Sequence, residues 1–155
     1  MPQETVDVLQ KQQQFLMNVV GDFTEEHADY KPTGEMMTVA QQVRHIARVT
    51  DWFREGAFGS GFNMDFESEA VEMMKPVTLE QAREELNRSF RELFERVGPL
   101  SHEEVSAPMA PNPILGECPK FVALNANGDH IAHHRGALTV YLRLLGMTPK
   151  MVYMD

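Results

Sequence analysis

The sequence predicts an all-α protein, a four-helix bundle with two long inter-helix connections. Four stretches repeat apolar residues with the 3.6-residue period of an α-helix, and no stretch alternates apolar and polar residues as a strand does. Clusters of glycine and proline separate the four stretches. With 155 residues, the chain is expected to form a single domain, residues 1–155, large enough to bury about 68–70% of its unfolded surface.

The first two helices are bounded by local signals in the sequence. The first helix is predicted from about Thr5 to His27, and the chain-breaking cluster at residues 29–34 follows it. The second begins with Thr38 and Gln41, which have the spacing of a capping box, and continues to about Gly56. The second helix carries a stripe of apolar residues that we expect to face the core: Val39, Val43, Ile46 and Phe53.

The third helix is predicted between two connections of about twenty residues each. A second capping box, Thr78 with Gln81, begins it, and the Gly98-Pro99 pair ends it. Residues 58–77 contain glycines, aromatics and a proline, so we expect irregular structure there. Loops of this length in compact domains are usually functional or cross a bundle.

The fourth helix is predicted from about Lys120 to Leu145, with Gly146 as its stop. The preceding connection, residues 100–119, holds four prolines and is predicted to be non-helical. One face of the fourth helix carries a stripe that we expect to point into the bundle: Asn127, His130, His134, Ala137, Leu138, Tyr141 and Leu145.

Composition excludes several classes of partner. A net charge of −9 and the lack of a basic cluster argue against a nucleic-acid partner. No apolar run approaches the ~20 residues of a membrane span, and the N-terminus does not have the pattern of a signal peptide. The single cysteine, Cys118, cannot form an internal disulfide, so we expect a cytoplasmic protein. Eleven methionines indicate adaptable core packing or a homodimer surface.

The most informative motif is the pair His130 and His134 on the fourth helix. Four residues apart, the two imidazoles lie on the same helix face, one turn apart, where both can reach a single metal ion. The spacing alone is also compatible with two core histidines that bind no metal. Each would then need a hydrogen-bond partner, because burying a histidine without one is costly. A third ligand is needed to choose between these interpretations.

His45 is the candidate third ligand. It shares a face of the second helix with Val49 and Trp52 and lies beside Ile46, so it can point inward. Three imidazoles with an open fourth position are typical of catalytic rather than structural zinc sites. Imidazole also suits nickel, copper and iron, so the sequence does not identify the metal.

The residues around this motif have other predicted roles. His133 lies about 100° around the helix from His134 and is predicted to be a flank residue. Asp129 is either an acceptor for an imidazole N–H or an exposed carboxylate, and Arg135 either anchors an anionic substrate or forms a salt bridge. Ile131 occupies the position where zincin peptidases place a glutamate, which disfavours that chemistry.

The chain resembles the DinB/YfiT superfamily of small four-helix proteins over nearly its whole length. Residues 38–47, 129–138 and 141–149 carry the resemblance. It implies that His45, His130 and His134 bind a divalent metal, commonly zinc or nickel, and that the protein is a homodimer. Ala137 departs from the pattern, because many relatives have glutamine there. Similar proteins include thiol-dependent transferases and isomerases, and many further members are described as metal-dependent hydrolases.

Two mechanisms compete within this interpretation. In a thiol-dependent S-transferase, the metal stabilises the thiolate of a low-molecular-weight thiol, which attacks a small electrophile. In a metal-dependent hydrolase, the metal lowers the pKa of a bound water toward ~7. The sequence favours the transferase, because no carboxylate can be assigned as a general base. A non-catalytic metal- or ligand-binding bundle and a purely structural helical dimer remain as alternatives from other classes.

Overall fold

Six α-helices are present in residues 3–153, the part of the chain that the computed structural model describes. Those residues contain no strand, so the all-α prediction is confirmed. The four long helices of the bundle are the four that the sequence predicts. In chain order the helices are α1 (Gln3–Val20), α2 (Val39–Phe58), α3 (Phe66–Met73), α4 (Leu79–Val97), α5 (His102–Ser106) and α6 (Phe121–Leu144).

Helix α2 holds the bundle together, because it packs against both α4 and α6, while α6 also packs against α1. The apolar stripes predicted for these helices meet in the core. The fully buried core side chains include Leu16, Val43, Ile46, Leu86, Phe90 and Leu138. The α2–α6 contact positions the site described below. Within residues 3–153, no helix combines the length and the apolar composition of a membrane span.

The helix ends confirm the predicted local signals. At the start of α2, the Thr38 hydroxyl accepts the Gln41 N–H at 3.2 Å, and the Gln41 side chain accepts the Thr38 N–H at 2.9 Å. The same reciprocal pair begins α4 at Thr78. At the end of α6, Gly146 adopts a left-handed conformation with φ +78°. The following N–H then donates to the carbonyl of Leu142 at 2.9 Å, which closes a Schellman motif.

The first helix ends earlier than predicted, at Val20 rather than His27. The chain turns after Val20 and forms only a short 3₁₀ helix, Glu25–His27. The reason is a long-range contact: the Arg83 guanidinium of α4 donates to the carbonyls of Val20 and Phe23 at 2.7 and 2.8 Å. These bonds satisfy carbonyls that continued helix would otherwise use.

Both long connections contain a short helix that was not predicted. Asp65 caps α3 by accepting the Ser68 N–H at 3.1 Å, and α3 buries a single side chain, that of Met73. Ser101 and Glu104 form a capping box at the start of α5, which has five residues. The expectation of irregular structure was therefore wrong at residues 66–73 and 102–106.

Candidate metal centre

Three half-buried histidines from two adjacent helices meet beside the core of the bundle. His45 comes from α2, and His130 and His134 come from successive turns of α6. The Nε2 atoms of His45 and His130 lie 3.0 Å apart. One ring nitrogen from each of the three histidines lies within 4.8 Å of one from each of the others. The structure thus brings together the three residues that the sequence singled out, while metal binding by them remains a prediction.

Packing of the helices dictates this arrangement. The stripe on α6 continues from the two histidines to Leu138 and Tyr141, which are almost completely buried. On α2, His45 precedes the buried Ile46, so the α2–α6 contact turns His45 toward α6. The imidazole rings pack at angles to one another, with centroids 4.4–4.9 Å apart.

Burial keeps all three imidazoles neutral at physiological pH. Loss of solvation lowers the pKa of His130 to about 3 and that of His134 to about 4, and repulsion from neighbouring histidines adds to both shifts. Burial, and after it His133, also lowers the pKa of His45. A neutral imidazole has a free lone pair, which is the form that binds a metal ion.

A chain of hydrogen bonds fixes the tautomer of His134. The carbonyl of Met37 can only accept, so the Tyr141 hydroxyl donates to it, at 3.0 Å. Tyr141 must therefore accept from the Gln42 amide N–H, at 3.4 Å. The Gln42 carbonyl oxygen then faces Nδ1 of His134 at 2.6 Å, so Nδ1 carries the proton. The lone pair of His134 is left on Nε2.

His45 and His130 are less well satisfied. Their Nδ1 atoms are buried and have no hydrogen-bond partner within the described part of the chain, and their Nε2 atoms face each other. Without a metal ion, one Nε2–H must donate to the lone pair on the other Nε2. The lone pair of the donor ring, on its Nδ1, is then left without a partner. Two nitrogens on one tetrahedral zinc ion lie about 3.3 Å apart, close to the observed separation. The three histidines therefore fit a divalent metal ion.

A cavity of about 940 Å³ opens beside the three histidines. Its wall includes the aromatic side chains of Trp52 and Phe53 from α2 and of Phe66 from α3. Phe62 packs against Trp52 with ring centroids 4.6 Å apart, whereas Phe58 is buried in the core. The long connection between α2 and α4 thus supplies part of the cavity wall.

The other residues near the motif have separate roles. His133 is exposed at the cavity rim, with its ring 4.8 Å from that of His134. Asp129 is exposed, and Gln42 rather than Asp129 accepts the proton of a cluster imidazole. Arg135 lies over the rings of Phe15 and Tyr153 at 5.7 and 5.6 Å.

Gln42 is the residue of the site that the sequence analysis missed. It lies three positions before His45, on the same face of α2, so helical spacing could have singled it out. Tyr141 was assigned to the inward stripe of α6, but its link to Gln42 depends on the register between the two helices. Half-buried Cys118, which packs against the core, does not line the cavity.

Comparison with known proteins agrees with this architecture. The sequence profile of the DinB family matches residues 1–155. The chain belongs to the DinB family. No curated protein matches the sequence of this DinB-family chain.

Solved structures share the fold of this DinB-family protein. A DinB-like protein from Bacillus cereus is 17% identical, with a TM-score of 0.75 over 98% of this chain and 97% of its own. A DinB-like protein from Bacillus subtilis is also 17% identical, with a TM-score of 0.73 over 98% of this chain and 99% of its own. A conserved protein from Enterococcus faecalis is 14% identical, with a TM-score of 0.71 over 94% and 98%. At these identities, the similarity establishes the fold alone.

Proposed function

We propose that this protein is a metal-dependent S-transferase. His45, His130 and His134 hold a divalent metal ion, zinc or nickel, and the enzyme joins a low-molecular-weight thiol to a small electrophile. When bound, the metal supplies a positive charge that stabilises a thiolate at neutral pH. As the new C–S bond forms, the leaving group departs with its electron pair, and the thiol proton passes to water.

The main support for this proposal is that three neutral imidazoles converge at the wall of a large open cavity. Three protein nitrogens leave a position for an exogenous ligand, as catalytic zinc sites require. The cavity volume, about 940 Å³, lies within the range of small-molecule sites. A purely structural site would be closed by a fourth side chain.

The protein's own residues orient the ligands and shape the cavity. Gln42 holds the proton of His134 at Nδ1, which keeps the lone pair of this ring on Nε2. Partial burial of His130 lowers its pKa and keeps the ring neutral. These residues preorganise the site without taking part in bond formation.

Hydrolysis is the alternative that the cavity wall supports less well. A hydrolase needs a base near the attacking water, and the carboxylates in this wall are Asp51, Glu55 and Glu69. Each of them already forms an ion pair with an arginine. A thiol route needs no such base, because the thiolate itself is the nucleophile.

The expected oligomeric state and cellular location of the protein are part of the same proposal. We expect the protein to be a homodimer, and a reducing cytoplasm would keep low-molecular-weight thiols in the free form that the reaction consumes. A metal- or ligand-binding protein without turnover would use the same open position to hold a ligand. Turnover distinguishes the two.

The test uses zinc-loaded protein with glutathione and 1-chloro-2,4-dinitrobenzene, and follows thioether formation by absorbance. We expect a rate above that of thiol and electrophile alone, lost in His130→Ala and retained in His133→Ala. Cobalt-substituted protein should also show a sulfur-to-metal absorption band when L-cysteine is added, and none with L-serine. Cobalt binding without that band, together with hydrolysis of 4-nitrophenyl acetate, would favour the hydrolase.

A further inference from the structure

The cavity beside the histidines has a predominantly apolar wall. Helix α2 supplies Val49 and Trp52, and the edge of α3 supplies further apolar side chains. The wall as a whole includes Met37, Val49, Trp52, Phe66, Met73 and Met74. Methionine and aromatic side chains together form an adaptable apolar surface.

Each charged group in this wall is already paired with an oppositely charged side chain. Arg48 pairs with Glu69 at 2.5 Å, so an anionic substrate would have to compete with Glu69 for this guanidinium. Asp51 pairs with Arg88 at 3.2 Å. Glu55 pairs with Arg54 at 3.4 Å. Apart from the histidines, every ionisable side chain of the cavity wall is thus in an ion pair.

Hydrogen-bonding capacity in the wall is also partly used. The indole N–H of Trp52 donates to the carbonyl oxygen of Asn63 at 2.7 Å, which leaves the ring faces as the contact surface. A polar ligand entering the cavity would lose water without gaining these groups as partners.

Two of the exposed apolar side chains belong to the cavity wall. Phe66 is 52% exposed and Met74 is 49% exposed, and both line the cavity. An apolar surface that extends from solvent into a cavity marks a ligand-binding site.

We propose that this cavity binds the apolar part of an uncharged electrophile, an aromatic or bulky alkyl group, and presents its reactive carbon to the three-histidine centre. The inference rests on the proposed function, because it identifies the class of the second substrate. Selectivity then comes from apolar contact rather than from charge recognition.

Trp52 allows a direct binding measurement, because it is the single tryptophan of the chain and lines the cavity. The experiment titrates wild-type protein with nitrobenzene and with 4-nitrobenzoate, two quenchers that share a chromophore and differ in charge. N-acetyltryptophanamide corrects for collisional quenching. In chelator-treated, metal-free protein, where no cation can pair with the carboxylate, we expect saturable quenching by nitrobenzene and at least about tenfold weaker binding of 4-nitrobenzoate, since desolvating an unpaired carboxylate is costly. Equal binding of the two quenchers, or linear quenching throughout, would overturn the proposal.

Two exposed residues of α3 give a matched pair of variants. Phe66→Ser removes an aromatic wall and should weaken nitrobenzene binding roughly 2- to 10-fold. Val71→Ser is the control, because Val71 is 61% exposed and does not line the cavity. Both side chains lie largely outside the core, so the helical circular-dichroism signal should be retained. If both variants weaken nitrobenzene binding equally, the assignment of Phe66 to the binding wall is contradicted.

A third variant tests the role of ion pairing. Glu69→Gln should release Arg48 and tighten 4-nitrobenzoate binding, with little change for nitrobenzene. If 4-nitrobenzoate binding does not change, charge pairing does not set the preference of the cavity.

Metal content, measured on the same preparations before chelator treatment, separates this inference from the proposed function. Metal binding without nitrobenzene saturation would remove the apolar substrate class and leave the metal-dependent function standing. Nitrobenzene saturation in protein that cannot be loaded with metal would retain the apolar site and remove the transferase.

Discussion

The Nδ1 atom of His134 lies 2.6 Å from the side-chain carbonyl oxygen of Gln42. This contact joins the two helices that supply the three-histidine centre, and it continues through Tyr141 to the carbonyl of Met37. Because the carbonyl of Met37 can only accept, it fixes the direction of each hydrogen bond in this chain, from Tyr141 back to His134. Gln42 therefore selects which nitrogen of His134 is available to a metal ion.

Replacing Gln42 by leucine should weaken metal binding by roughly 10- to 100-fold, because the ring loses the partner that fixes its tautomer. Leucine has a similar volume, so we expect the helical signal to be retained. Competition with a chromophoric chelator measures the zinc affinity.

Gln42→Glu is the matched control for this variant. A carboxylate retains an oxygen that accepts the proton of His134, so the zinc affinity should stay close to that of the wild type. Wild-type affinity in Gln42→Leu would show that this hydrogen bond has no influence on the metal centre.

Metal-free protein should become less stable as the pH falls from about 6.5 toward 4. The pKa of His130 is lowered to about 3 and that of His134 to about 4, whereas unfolded histidine titrates near pH 6.5. Across this window the unfolded chain takes up protons that the folded chain does not, so the free energy of unfolding decreases. Urea denaturation at a series of pH values measures it.

His130→Asn should make this pH dependence shallower, because one of the histidines with a lowered pKa is removed. The carboxylates are the same in both proteins, so the difference between the two curves isolates the histidine. Parallel curves would mean that burial of His130 does not couple protonation to folding.

Replacing Leu86 should lower the stability of the protein without changing its metal binding. This residue is completely buried on α4, which contributes no histidine to the centre, so Leu86→Ala should cost about 2–5 kcal/mol of unfolding free energy. The exposed neighbour Asn87 is the control, and Asn87→Ala should change stability by no more than about 0.5 kcal/mol. Metal content per folded chain should be unchanged in both variants. Loss of metal from folded Leu86→Ala would show that the centre depends on α4 packing.

Features that depend on neighbouring residues in the sequence were predictable. The capping boxes at Thr38 and Thr78 are read from two residues three positions apart, and the His130–His134 pair from one helical turn. The four long helices follow from apolar periodicity. These signals depend on residues that are close together in the sequence, so tertiary contacts do not change them.

Features that depend on tertiary contacts were not predictable. The early end of α1 results from Arg83, more than sixty positions along the chain. Glu25 likewise stabilises the start of α4 by accepting the N–H groups of Leu79 and Glu80 at 3.0 and 3.2 Å. Helix α3 buries only Met73, too little apolar surface for a periodic pattern. The role of Gln42 needed the register between α2 and α6.

The most direct test of the three-histidine centre is the metal content of tag-free protein, measured by elemental mass spectrometry. Wild type, His45→Ala and His133→Ala should be compared, since His133 is an exposed neighbour of the cluster. We expect about one zinc or nickel ion per chain in the wild type and in His133→Ala, and none in His45→Ala, because two imidazoles on α6 hold the ion too weakly. A wild-type protein that contains no metal and cannot be loaded, or a His45→Ala variant that keeps its metal, would contradict the account.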